Sequence, residues 1–219
     1  MIVLILANGE LHLSPELLQF TKDADYLIAA DGGAEHCSAL GRIPDTLIGD
    51  LDSVSENLLA EYKMRGVKIF RHPVRKNTTD LELAIDHAVY KGATEICFAG
   101  MLGGRWDMSL ANIFLLAHER FEKIQMSLFG DECVMHILHP GKHSFTTPIK
   151  QRASLLPLKG DGEDITLTGF EYPLDHYTIP FGSSIGVSNI TIETTVFTKH
   201  SKGVLLLILS SPLLSSPRE

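Results

Sequence analysis

The chain has 219 residues, of which 44% are hydrophobic, so it is long enough for one large domain or two small ones with a buried core. Its formal net charge of -8 argues against a protein that binds the phosphate backbone of a nucleic acid, because such proteins carry a basic face. Cys37, Cys97 and Cys133 lie far apart without a CxxC pair, which favours reduced thiols in the cytoplasm over a disulfide framework or a zinc site.

Two apolar segments bear on membrane association. The N-terminal MIVLILANG predicts a buried first strand, because it lacks the basic lead and the small-residue cleavage site of a signal peptide. Residues 204–209 are also apolar, but a membrane span needs roughly 18 to 20 residues. The sequence therefore predicts a cytoplasmic protein without a membrane partner.

Predicted strands and helices alternate over the first 130 residues. Strands are expected at 2–7, 26–30, 46–49, 67–70, 95–99 and 123–129. Helices are expected from Ser14, over 34–40, from Ser53 or Ser55 to Met64, from Thr79, and over 109–120. This order predicts an α/β fold, with a mostly parallel sheet flanked by helices on both faces. Ligands of such sheets bind at the carboxyl ends of the strands.

The pattern changes near residue 131. Short β-rich segments at 134–138, 154–158, 164–167, 190–197 and 204–209 are separated by Pro and Gly turns. They predict a small antiparallel sandwich or barrel. We therefore expect an α/β catalytic domain over 1–130, an all-β domain over 131–210, and a flexible tail over 211–219.

Two aspartates, Asp50 and Asp52, directly follow the third predicted strand. Residues i and i+2 of an extended segment point to the same side, so both carboxylates can converge on one point. At about 4 Å they would repel each other by roughly 4 kcal/mol near a protein surface, which a divalent cation or a shared proton would relieve. The alternative is a helix-capping turn in which Asp52 and Ser53 accept hydrogen bonds from backbone donors.

Other polar groups follow neighbouring strands of the same sheet. Asp80 stands at a helix start after Lys76, where it is either a metal ligand beside a phosphate or an ordinary partner of the helix dipole. Residues 31–33, Asp-Gly-Gly, permit close approach of a ligand or simply form a tight turn. Residues 103–105, Gly-Gly-Arg, with Asp107 suit a phosphate or form a surface ion pair. Because all of these groups follow strands of one sheet, they should lie together at one edge of that sheet. Their convergence predicts a magnesium–nucleotide site.

Other motifs of nucleotide and metal sites are missing from the sequence. It contains neither GxxxxGK[ST] nor a GxGxxG at the first helix. His136, His139 and His143 are spaced too loosely for a metal site, so a structural role is expected. Trp106 is either a stacking ring or a packing residue.

Several segments together resemble the thiamine pyrophosphokinase family. They are DGG (31–33), PDTLIGDLDS (44–53), KNTTDLELA (76–84), GGRWD (103–107) and SLLPL…TLTGFEYPL…FGSSIGVSN (154–189), and they cover nearly the whole chain. The resemblance implies transfer of pyrophosphate from ATP to the hydroxyl of thiamine, giving thiamine diphosphate and AMP. It also implies Mg²⁺ and a homodimer with the active site at the subunit interface.

The resemblance also implies roles for individual residues. Asp50, Asp52 and Asp80 would hold the metal and act in catalysis. The nucleotide and its phosphates would be bound by Asp31, Gly32, Lys76, Thr79, Arg105 and Asp107. Thiamine would be bound by Tyr172, Ser188 and Asn189.

This chain departs from the family pattern at two positions. Met108 stands where family members often carry His or Gln, and Tyr172 stands where animal members often have Trp. Two other functions are consistent with the sequence. One is an ATP-dependent kinase or pyrophosphokinase for another small alcohol, and the other is a non-catalytic thiamine or nucleotide sensor.

Overall fold

The computed structural model describes residues 1–75 and 77–210, so Lys76 and the predicted tail lie outside the described residues. The chain divides into two compact units. The first contains Met1–Leu116 and Lys123–Asp131, and the second contains Ala117–Glu122 and the described residues from Glu132 onward.

The first unit alternates strands with helices. Its strands are β1 (Ile2–Leu6), β2 (Tyr26–Ala30), β3 (Thr46–Gly49), β4 (Lys68–Arg71), β5 (Glu95–Ala99) and β6 (Gln125–Gly130). Its helices are α1 (Pro15–Asp23), α2 (Gly33–Ala39), α3 (Glu56–Met64), α4 (Asp80–Tyr90) and α5 (Trp106–Leu116). The strands pair in parallel in the order β4-β3-β2-β1-β5-β6, which confirms the predicted α/β architecture.

Both faces of the central strands of this sheet are buried. On one face Leu4, Leu27 and Cys97 pack in a core cluster with side chains of α1, α2 and α3. Ile5 and Ile28 have the opposite parity and are also fully buried, and α4 packs against β1, β2 and β3. Coverage of both faces explains why these strands are continuous apolar runs in the sequence.

Helix boundaries follow side-chain caps. Ser14 caps α1, since its Oγ accepts the Leu17 N–H at 3.1 Å. Ser55 rather than Ser53 caps α3, because the Ser55 Oγ accepts the Leu58 N–H at 3.4 Å. The helix predicted over 109–120 instead spans Trp106–Leu116, and a separate 3-10 helix follows at Glu119–Phe121.

The second unit is built from antiparallel strands. They are β7 (Cys133–Leu138), β8 (Gly141–Thr146), β9 (Arg152–Thr168), β10 (Leu174–Ile179), β11 (Asn189–Ile190), β12 (Thr195–His200) and β13 (Lys202–Ser210). The order of the main path is β7-β13-β9-β12-β8, with β10 and β11 also pairing with β9. Alternate residues of β13, Leu205, Leu207 and Leu209, lie in the core of this unit. The predicted all-β C-terminal part is confirmed.

Strand boundaries in the second unit differ from the prediction. The segments expected at 154–158 and 164–167 belong to the single strand β9, because Gly160 and Asp164 take φ values of +69° and +57° within the strand instead of closing a turn. The segment expected at 190–197 is divided between β11 and β12. Between them Thr191 uses its Oγ to accept the Gln151 N–H at 2.9 Å.

In the part of the chain that the structure describes, every helix is too short or too polar to cross a membrane.

Candidate active site

A cavity of about 700 Å³ lies at the carboxyl ends of the parallel strands in the first unit. It is lined by the loops after β1, β2, β3 and β5 and by the start of α4. Strands β2, β3 and β4 lie on one side of β1, whereas β5 and β6 lie on the other. The chain leaves β1 toward β2 and leaves β5 toward β6, so the connections after these neighbouring strands lead to opposite sides, as at the ligand-binding crevice of doubly wound sheets.

The loop after β3 directs two carboxylates away from the core. Leu51 has a φ of +67° and is only 5% exposed, and its side chain belongs to the core cluster. The Asp50 Oδ1 accepts the Asp52 N–H at 3.2 Å, and Asp52 accepts a hydrogen bond from the Ser53 hydroxyl at 3.1 Å. Because Ser55 caps the following helix, the capping turn expected from Asp52 and Ser53 does not account for the two carboxylates.

A third carboxylate, from the end of β2, joins this pair. One oxygen each of Asp31, Asp50 and Asp52 lie within 4.8 Å of one another. Gly49 permits this approach, since a Cβ there would lie 3.1 Å from the Cα and the Cβ of Asp31. Among the described residues the buried Asp31 Oδ1 has no hydrogen-bond partner. Three close carboxylates with a buried unbonded oxygen fit a hard divalent cation.

The start of α4 also lines the cavity. The Thr79 Oγ1 accepts the Glu82 N–H at 3.2 Å and caps the helix, and Asp80 occupies its first turn. Both residues line the cavity with Asp31 and Asp50. Asp80 lies outside the group of three close carboxylates, so its assignment as a metal ligand stays a prediction.

The loop after β5 brings a cation to the cavity. Arg105 lines the cavity, and its guanidinium forms two hydrogen bonds with the Asp107 carboxylate. This hydrogen bonding lowers the pKa of the Asp107 carboxyl and raises the pKa of the Arg105 guanidinium. The Ser109 Oγ accepts the Gly103 N–H at 3.1 Å and so ties the glycines to α5.

Several lining residues were not found by sequence reasoning. Those from the loop after β1 are Asn8, Gly9 and Glu10, and those from α5 are Ser109 and Asn112. The Asn-Gly pair directly after the first predicted strand was a usable signal, because it lies at the same sheet edge as the aspartates. Ser109 and Asn112 lie within the predicted helix, but the sequence does not show which of its residues face the cavity.

In the second unit, the three residues predicted to bind thiamine lie together. The Asn189 side chain accepts the Tyr172 N–H at 3.0 Å and donates to the Tyr172 carbonyl at 2.8 Å. Ser188 has a φ of +64°, and its N–H donates to the Ser154 Oγ at 3.1 Å. The Tyr172 ring is 64% exposed and is free to stack on a ligand.

The histidines of the second unit form no metal site among the described residues. His136 packs on the Phe145 ring at 4.7 Å, and His143 stacks on His200 at 6.0 Å between ring centroids. Burial, together with the nearby His143, lowers the pKa of His136 and of His200 to about 4. The His136 and His200 imidazoles are therefore structural groups that are neutral at pH 7.

Comparison with known proteins decides the family. Residues 17–128 match the thiamin pyrophosphokinase catalytic domain, and residues 142–205 match the thiamin pyrophosphokinase vitamin B1 binding domain. The thiamine pyrophosphokinase of Bacillus subtilis (strain 168) is 31% identical over 208 residues, which are 94% of this chain and 97% of that protein.

The chain belongs to the thiamine pyrophosphokinase family.

Solved structures agree with this assignment. A crystal structure of thiamine pyrophosphokinase from Bacillus subtilis aligns with a TM-score of 0.84 at 31% identity, covering 97% of this chain and 100% of that chain. One from Geobacillus thermodenitrificans aligns with a TM-score of 0.83 at 28% identity, covering 98% and 99%. Family membership makes the protein a transferase, and most of the residues that line the cavity lie within the part that matches the catalytic domain.

Proposed function

We propose that this protein transfers pyrophosphate from ATP to the hydroxyl of thiamine, producing thiamine diphosphate and AMP. The observation that carries the proposal is the group of three carboxylates, Asp31, Asp50 and Asp52, in a cavity that Arg105 also lines. Three mutually repelling acids beside a cation suit a metal–polyphosphate complex. Family membership supplies the two substrates.

Mg²⁺ is the proposed metal, and Asp31, Asp50 and Asp52, with Asp80 at the start of α4, are the residues that would hold it. When bound, Mg²⁺ would neutralise negative charge on the triphosphate. The buried Asp31 Oδ1, which has no hydrogen-bond partner in the described part of the chain, supports the inclusion of Asp31. A carboxylate of this group would accept the proton of the thiamine hydroxyl.

The remaining first-unit residues bind and orient the triphosphate. Arg105 is oriented by its hydrogen bonds to Asp107, so its positive charge can stabilise charge that develops on the transferred phosphoryl oxygens. The N–H groups of the first turn of α4, next to Thr79, would favour a phosphate. Gly32 leaves room for the Asn8 side chain, which lines the cavity, since a Cβ on Gly32 would overlap it. Lys76 is proposed to add a second cation.

Thiamine is proposed to bind at Tyr172, Ser188 and Asn189. The exposed Tyr172 ring offers a face for a cationic heteroaromatic ring, and Asn189 holds the backbone of Tyr172 through two hydrogen bonds. Met108 lines the proposed nucleotide cavity where family members often carry His or Gln. Its side chain cannot make the polar contact that those residues would make.

A homodimer with the active site at the subunit interface is the proposed assembly. Support comes from α5, where Trp106, Leu110 and Phe114 follow helical spacing and are 74%, 48% and 53% exposed. A second copy of the chain would cover this apolar face.

We further propose that the protein acts in the cytoplasm. Burial raises the pKa of the Cys37 and Cys97 thiols to about 12, which suits reduced cysteines.

One assay tests the reaction. The purified protein is incubated with thiamine, ATP and Mg²⁺, and the nucleotide and thiamine products are separated by chromatography. We expect AMP and thiamine diphosphate in equal amounts. ADP with thiamine monophosphate would instead indicate a kinase, and thiamine binding without any product would indicate a sensor; either result would overturn the proposal.

A further inference from the structure

Glu10, in the loop after β1, is hydrogen-bonded to the loop after β5. Its backbone N–H donates to the Leu102 carbonyl at 2.7 Å. Its side-chain Oε1 accepts the Gly104 N–H at 3.0 Å. The loop that carries Arg105 is therefore attached to one residue of the β1 loop at two points, one on each side of Gly103.

The close fit between the two loops depends on Gly103 and on the neighbours of the Glu10 carboxylate. A Cβ on Gly103 would lie 3.3 Å from the Glu10 nitrogen, so the two loops pack against each other. The second Glu10 oxygen lies 3.8 Å from His12 Nε2, and His12 Nδ1 lies 3.3 Å from an Asp131 oxygen. The hydrogen bond to the Gly104 N–H is therefore the main contact that orients the carboxylate.

The charge of Glu10 is unfavourable for its location. Glu10 lines the cavity that the proposed function assigns to a polyphosphate, and a carboxylate there repels the ligand. The Glu10 carboxylate accepts a hydrogen bond from a backbone N–H of the β5 loop, so the side chain acts on the shape of that loop. Arg105 is anchored through its side chain by Asp107, whereas Glu10 fixes the backbone directly before Arg105.

We propose that Glu10 is a positioning residue, which holds residues 103–105 in the conformation that directs Arg105 toward the triphosphate. The predicted effect on ATP binding rests on the proposed function. The predicted effect on the conformation of residues 103–105 is independent of it. Glu10 contributes an accepting oxygen, and its negative charge is not required. A glutamine at this position retains the oxygen that accepts the Gly104 N–H.

The test compares Glu10→Ala, Glu10→Gln and the control Glu16→Ala, which removes the same charge from the exposed first turn of α1. Amide hydrogen exchange is measured for a peptide that covers residues 103–105, without ligands. Steady-state KM for ATP and kcat are measured with thiamine and Mg²⁺. Glu10→Ala should speed exchange in this peptide and raise KM for ATP about fivefold, as expected for one lost hydrogen bond. Glu10→Gln should restore slow exchange and give a KM for ATP equal to or below that of the unchanged protein, because it keeps the accepting oxygen and lacks the repelling charge. Glu16→Ala should match the unchanged protein.

Three results would overturn the inference. Glu10→Ala with unchanged exchange in residues 103–105 would show that Glu10 does not hold the loop. A lower KM for ATP in Glu10→Ala would show that charge repulsion is its main effect. Equal defects in Glu10→Ala and Glu10→Gln would assign the effect to the charge. If the unchanged protein makes no AMP, the proposed function fails, while hydrogen exchange still decides whether Glu10 holds the loop.

Discussion

The two units of the molecule hold their ionisable side chains in opposite ways. In the first unit Asp31, Asp50 and Asp52 are brought within 4.8 Å of one another at a cavity, so their charges repel. In the second unit His136 and His200 are packed between strands, and burial lowers the pKa of each to about 4. The carboxylates are close and charged, whereas the imidazoles are buried and neutral.

The carboxylates of the first unit therefore bear on ligand binding, and the histidines of the second unit bear on stability. Like charges kept close together raise the free energy of the folded protein unless a ligand neutralises them, so the carboxylates suit a binding site. A buried neutral imidazole needs no ligand at pH 7, and it lowers stability only when the solution becomes acidic. Substitutions in the first cluster should therefore change turnover, and substitutions in the second should change the response of stability to pH.

The largest expected effect is that of Asp52→Asn. The change keeps the shape of the side chain but removes one charge of the carboxylate group, so turnover should fall about 100- to 1000-fold. Because Asp52 is exposed and repels its neighbours, the melting temperature should stay the same or rise. AMP formation and thermal unfolding are the measurements. Turnover close to that of the unchanged protein would remove Asp52 from the site.

The second prediction concerns acid stability. Unfolded histidine takes up a proton near pH 6.5, but folded His200 does so only near pH 4, so the unfolded state binds more protons between these values. Stability should therefore decrease as the pH falls through this window, by up to about 3 kcal/mol for this residue. Urea unfolding at pH 7 and at pH 5 measures the decrease.

The matched variant for this prediction is His200→Phe, which keeps a ring but cannot be protonated. It should lose less stability than the unchanged protein between pH 7 and pH 5. If both proteins lose the same free energy of unfolding over this range, His200 is not a source of the acid sensitivity.

A smaller effect is expected from Tyr172→Ala. Loss of the exposed ring should raise KM for thiamine about tenfold, since stacking of aromatic rings contributes about 1 kcal/mol beyond the buried area. Tyr172→Phe keeps the ring and should stay close to the unchanged protein. Tyr177→Ala, which removes another exposed ring of the same unit, is the control. Equal KM values for the two alanine variants would argue against stacking by Tyr172.

The smallest predicted effects come from helix caps. Ser14→Ala and Thr79→Ala each remove one cap and should each lower stability by about 1 kcal/mol. Only Thr79 lines the cavity, so only Thr79→Ala should also raise KM for ATP. Denaturant unfolding and ATP titrations of initial rates test this pair. A raised KM in Ser14→Ala would mean that cap loss acts through general destabilisation.

Much of the first unit could be predicted from sequence, because strands buried on both faces are continuous apolar runs and the helices carry caps. The long strand β9 could not, since the Gly and Asp residues at 160–164 resemble a turn. Sequence spacing also shows that Asp50 and Asp52 share one loop. It does not show which other loop approaches them, and the proximity of Asp31 depends on how β2 and β3 pair. Glu10 was missed for the same reason, because its partner Gly104 is 94 residues away.

The buried side chain of Leu51 has a consequence for thermal inactivation. It lies between the two aspartates of the β3 loop and packs in the core, so we expect this loop to have no melting transition of its own. Cooperativity would then link the β3 loop to the whole α/β unit. Activity and the core of that unit should be lost at the same temperature, and no inactive species with an intact core should accumulate below it.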